Sequence, residues 1–163
     1  MMYIDFEYYT NLYGDEMSMQ EFNRLDWEAC KRIDLATTGF DGIKKLKVAF
    51  PIDDNDAECV KRCVAKLINT GYLIKQAEKK VNAVKSYIER EDGTIVSKIV
   101  NSESSGCESI NYSNINSLSA GSTVIDSVLS SKKAQDDLYR EIIKEYLSGI
   151  CDANGVSLLY MGC

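Results

Sequence analysis

Apolar residues recur at helical spacing over much of the chain, and this pattern predicts its main elements. A first helix begins at the capping box Ser18–Glu21 and carries apolar residues three and four positions apart as far as Thr37. A second helix follows Pro51 and an acidic run, and its apolar stripe extends from about residue 56 to 83. The two elements predict a helical body.

The remaining helical signals lie at the two ends of the chain. The aromatic segment 3–14 predicts an extended arm or a single helical turn. A short helix is predicted around 124–129, and a longer one from Lys132 to Ser148, with Gly149 as its C-cap.

Between the second helix and these later ones, the period changes from helical to alternating. Residues 86–113 predict a β-hairpin or meander, with turns at Asp92–Gly93 and Ser104–Gly106. A loop rich in Ser, Asn and Gly follows at 113–123. The fold class predicted is therefore mainly α: one domain over 1–163, a bundle of three to four helices with a β excursion between the second and third helices.

An apolar run, 157–162, comes after the last helix and a turn-like segment, Asp152–Gly155. Chain ends are poorly ordered unless something holds them, and exposed apolar residues favour association. Either the core of this chain or a partner must cover this run. We treat 150–163 as a C-terminal tail.

Composition and charge limit the classes of function that the chain could have. The chain has 163 residues, 45% of them hydrophobic and 27% charged, which is typical of a globular domain. No apolar run approaches the length of a membrane span, and the acidic start of the chain does not resemble a signal peptide, so we expect synthesis in the cytoplasm. The net charge of −6 argues against binding along nucleic acid, which requires clustered cations.

The residue types that carry most enzyme chemistry are sparse. The chain has six cysteines, no CxxC pair and no histidine, so reduced, buried thiols are favoured over a zinc site. It has no Walker loop and no GxSxG motif. Asp53, Asp54 and Asp56 resemble part of a calcium loop but lack its glycine and distal glutamate, which favours a helix cap. We expect no catalytic residues, no metal and no cofactor.

Several short motifs occur in the order found in one family. They are Tyr3-x-Asp5-x-Glu7-Tyr8-Tyr9 with Tyr13-Gly14, then Glu21-Phe22-x-Arg24-Leu25 with Ala29, Ile33-Asp34 and Thr37, then the Ser-Glu-Ser segment 102–113, and finally Glu145–Gly149 with Leu158–Gly162. In this order the chain resembles head–tail connector proteins of tailed phages, also called adaptor or head-completion proteins, from phages and prophages of gut Firmicutes. It departs from the family pattern at Gly106-Cys107, in its longer link 150–156 and in its stop at Cys163.

The resemblance implies a structural virion protein of the neck, assembled in the host cytoplasm. About a dozen copies would form a ring that binds the portal, extends the DNA channel and carries a stopper or tail-completion protein. Double-stranded DNA would pass through without specific binding. On this basis we expect Leu158, Leu159, Tyr160, Met161 and Gly162 to dock the portal. We expect Ile95, Val96, Ile99, Ile110 and Tyr112 to pair between subunits.

Three alternatives remain open at this stage. The chain could be the neighbouring stopper, an unrelated cytosolic binding module whose tail packs on its own helices, or a small carboxylate enzyme or metal binder that uses the Asp53–Asp56 run.

Overall fold

The computed structural model describes residues 2–89, 95–102, 111–113, 128 and 131–159. The helices are α1 (Phe6–Tyr13), α2 (Met19–Ala36), α3 (Lys45–Val48), α4 (Asp54–Val84) and α5 (Lys132–Leu147), and the strands are β1 (Lys85–Glu89), β2 (Ile95–Ser102) and β3 (Asn111–Ser113). The protein is mainly helical, which confirms the predicted class.

The aromatic segment at the start of the chain forms a helix, so the prediction of an arm or a single turn is wrong. The Asp5 carboxylate accepts a hydrogen bond from the Tyr8 N–H at 2.7 Å and caps α1. Tyr9 is buried and packs on Phe22, with the ring centroids 5.6 Å apart. Burial of the aromatic rings stabilises a helix that local propensity favours only weakly.

The three longer helices lie where the apolar periodicity predicts them. Ser18 Oγ accepts from the Glu21 N–H at 3.3 Å at the start of α2. Asp53 Oδ1 accepts from the N–H groups of Asn55 and Asp56 at 2.9 and 3.1 Å at the start of α4, which confirms the cap interpretation of the acidic run. After α5, Gly149 has a φ of +83°, a value that favours glycine.

The core forms where α2, α4 and α5 pack together. Gly71 of α4 lies at this contact, because a Cβ added there would meet Leu25 Cδ2 at 3.0 Å and the Tyr139 hydroxyl at 3.4 Å. The glycine therefore permits a close helix approach. Arg32 of α2 also reaches α5, with Nη1 3.0 Å from Asp136 Oδ1.

The strands form an antiparallel sheet in the order β1–β2–β3. The Cα partners include Lys85 with Ile99 and Val100 with Tyr112, and the β2–β3 register shifts between Val100 and Ser102. The turns predicted at 92–93 and 104–106 and the predicted loop at 113–123 lie outside the described residues, apart from Ser113. Of the short helix predicted at 124–129, the structure describes Val128, which is buried.

The chain forms two compact units. One comprises Met1–Leu73 together with Lys133–Cys163, and the other comprises Ile74–Lys132. The core residues discussed below all belong to the first unit.

Candidate interaction site

The C-terminal loop, residues 150–159, is held by its own hydrogen bonds. The Asp152 N–H donates to Val156 O at 2.8 Å, and Asp152 Oδ1 accepts from the N–H groups of Asn154 and Val156 at 2.8 and 2.9 Å. Gly155 has a φ of +76°. These contacts confirm the turn predicted at 152–155 and give the loop a fixed shape.

Leu158 belongs to the core of its own chain. Its side chain is 1% exposed, and its N–H donates to Ile150 O at 2.9 Å. Lys45 Nζ, on α3, donates to Ser157 O at 2.6 Å and holds the loop from the other side. The expectation that Leu158 is free to dock a partner is therefore corrected, since the apolar core of this chain covers it. Leu159 packs half-buried against the same core.

The loop also completes an open groove, which we call the apolar groove. It lies between the segment 38–49 and the C-terminal loop and has a volume of about 660 Å³. Val48 is 73% exposed and Val156 is 49% exposed, and Ile43 and Phe40 line the same depression. The groove thus gathers four exposed apolar side chains in one depression, which makes it a candidate surface for association with another protein.

Two carboxylates and one lysine also line the apolar groove. Asp41 is exposed and Asp152 is half-buried. The lysine, Lys45, has its amine held by the C-terminal loop. The lining of the groove therefore combines apolar side chains with an excess of one negative charge.

A second depression, the basic cleft, lies along α2 and is also lined by residues at α3. Its volume is about 610 Å³, and exposed Lys31, Lys44 and Lys47 line it. Trp27 stands at its edge with 65% of its surface exposed, and Lys31 Nζ lies 5.2 Å from the centre of the Trp27 ring. Lys47 contacts the buried Asp34, with a distance of 2.9 Å between Nζ and Oδ2.

Two buried polar groups form part of the wall of the basic cleft. Burial raises the pKa of the Asp26 carboxyl, and the Cys30 thiol opposes this shift by donating a weak hydrogen bond to Asp26 Oδ1 at 3.4 Å. Burial raises the pKa of Cys30 to about 12, and the nearby Asp26 carboxylate adds to that shift. A thiol with this pKa is a poor nucleophile, so Cys30 acts as a core residue.

Asp34 joins three segments beneath the same cleft. It accepts a hydrogen bond from the Tyr3 hydroxyl at 2.5 Å, in addition to its contact with Lys47. Burial and the Asp34 hydrogen bond raise the pKa of Tyr3. Asp34 thus fixes the start of the chain and α3 against α2.

The predicted inter-subunit residues fall on the strands. Ile95, Val96 and Ile99 lie on β2 and Tyr112 lies on β3, whereas Ile110 lies outside the described residues. Val96 is the Cα partner of Ile88. Tyr160, Met161 and Gly162 of the predicted docking tail also lie outside the described residues.

The predictions about metal binding and membrane spans can be compared with the structure over the described residues. There, no three His, Cys, Asp or Glu side chains come together in a group that could hold a metal ion. Within the same residues, every helix is too short or too polar to cross a membrane.

Sequence reasoning did not find the apolar groove or the basic cleft. The relevant signal in the sequence is Trp27, a large aromatic residue that lies off the apolar stripe of α2. Comparison of the chain with family models, with curated proteins and with solved structures gives no match.

Proposed function

We propose that this protein is a non-catalytic structural subunit, a ring-forming adaptor between a phage portal and the stopper or tail. The proposal rests on the ordered motifs that resemble head–tail connectors. The single structural observation that supports it is the apolar groove, an exposed apolar surface on a helical body with a well-packed core.

The ring would stand in the neck of the virion and extend the DNA channel without binding DNA specifically. The acidic net charge supports this role, because a channel lined by basic residues would bind the phosphates of the passing duplex. Since Leu158 is buried, Leu159 and the residues that follow it would make the contact between the tail and the portal.

A gene deletion in the phage tests the proposal. Without this protein we expect DNA-filled heads and free tails that do not join, and the wild-type gene supplied in trans should restore tailed particles. Imaging of the restored particles should place a ring of this subunit directly beneath the portal. Normal tailed particles in the deletion strain would refute the proposal, and a ring located below another ring would identify the stopper instead.

The burial of Leu158 favours a second candidate, a helical binding module unrelated to phage assembly, whose tail packs on its own helices. Neighbouring genes separate the two candidates. Portal, capsid and tail genes beside this one favour the adaptor, whereas their absence favours the module.

A further inference from the structure

We propose that the apolar groove of one copy receives Trp27 and the surrounding basic cleft of the next copy. This inference rests on the proposed function for its ring geometry, whereas the two surfaces themselves are features of the fold. The occupant of the groove is thus a second copy of the same chain, in a head-to-tail contact.

The first argument is that the charges of the two surfaces are complementary. The groove is lined by Asp41 and Asp152 and by Lys45, whose amine is bound to Ser157 O. The cleft is lined by the exposed Lys31 and Lys44, by Lys47, which pairs with Asp34, and by the buried Asp26. The excess charge is therefore negative in the groove and positive in the cleft, and complementary charges favour encounter in one orientation and disfavour contact between two like surfaces.

The second argument is that each surface exposes apolar residues suited to the centre of an interface. Val48 and Val156 line the groove, and Trp27 is the large exposed ring of the cleft. Tryptophan is enriched among the residues that dominate binding energy, particularly where it enters a pocket surrounded by polar residues. A groove of about 660 Å³ is roomy enough to receive an indole ring.

The third argument is that the two surfaces share no lining residue. Lys44 and Lys47 contribute to the cleft, whereas Lys45 and Val48 contribute to the groove. When the groove of one copy binds the cleft of the next, the growing assembly always has one free groove and one free cleft at its two ends. Such a contact forms a ring where the rotation between successive copies closes, and an open filament where it does not.

Sedimentation velocity over a range of protein concentrations tests this contact with two variants, Trp27→Ala and Val48→Lys. Both positions are exposed, so both variants should fold, which circular dichroism checks. Wild type should grow beyond dimers as concentration rises, and each variant alone should stay monomeric. The matched control Leu12→Lys alters an exposed apolar residue of α1 outside both surfaces and should assemble like wild type.

An equimolar mixture of the two variants gives the sharpest result. The Trp27→Ala chain keeps an intact groove and the Val48→Lys chain keeps an intact cleft, so the mixture should form dimers and nothing larger. A wild-type protein that stays monomeric at millimolar concentration or stops at dimers, a variant that assembles alone, or a mixture that does not dimerise would overturn the proposal. Because the assay contains no portal, its result is independent of portal binding, which the phage deletion tests separately.

Discussion

Replacement of Leu158 with alanine decides whether the C-terminal loop is part of the core. The side chain is 1% exposed and belongs to the same buried cluster as Ile143 and Leu147 of α5. Leu→Ala substitutions at such positions destabilise by about 2–5 kcal/mol, since they lose the transfer free energy of the removed atoms and leave a cavity. That is a large part of the roughly 5–15 kcal/mol that stabilises a typical domain.

Urea unfolding followed by far-ultraviolet circular dichroism measures this change. With a denaturant slope of about 1–3 kcal/mol per molar urea, a loss of about 3 kcal/mol lowers the midpoint by about 1–3 M. The matched control is Leu12→Ala, which makes the same chemical change at an exposed position of α1 and should alter stability by less than about 0.5 kcal/mol.

The outcome bears directly on the function of the tail. If Leu158→Ala unfolds at the same urea concentration as Leu12→Ala, then Leu158 is not part of the core in solution. The burial described above would be refuted, and docking of a partner by the whole tail would again be the better hypothesis.

Three further predictions concern the core and its titratable groups. Burial raises the folded-state pKa of Asp26 above its ordinary 3.8, so its stabilising contribution is full below pH 3.8 and is lost as the pH rises through the folded-state value. Asp26→Asn should therefore gain stability relative to wild type as the pH rises above 3.8, and urea midpoints that show no such relative gain would contradict this. Gly71→Ala should destabilise by about 1 kcal/mol although alanine favours helix, because the new Cβ meets Leu25 at 3.0 Å; a thermal melt showing increased stability would mean that the helices separate without cost. Cys30 and Cys63, whose pKa values burial raises to about 12, should react with iodoacetamide at pH 8 only after unfolding, and mass spectrometry that finds either one labelled in the folded protein would contradict their burial.

The sequence predicted those parts of the fold that depend on local signals. The caps at Ser18 and Asp53 and the apolar stripes of α2, α4 and α5 are local in the chain, so they could be located from the sequence alone. The helix α1 was missed because its aromatic residues favour helix weakly and its stability comes from burial of Tyr9 against Phe22, a tertiary contact.

The candidate site could not be predicted for a related reason. The apolar groove brings the segment 38–49 beside Val156, more than a hundred positions further along the chain, and no local pattern encodes that proximity. The apolar composition of the tail showed that Leu158 must be covered. It could not show that this chain itself covers Leu158, because the core of the chain and the surface of a partner would offer the same apolar environment.

The position of Leu158 along the chain has a consequence for biosynthesis. Every other member of its buried cluster is translated before it, and Val156, a wall of the apolar groove, is made only two residues earlier. A nascent or prematurely terminated chain that lacks these residues has neither a closed core nor a complete groove. In the proposed ring, self-association through the groove would therefore require a chain synthesised at least as far as residue 158, and incomplete products would be left out of the assembly.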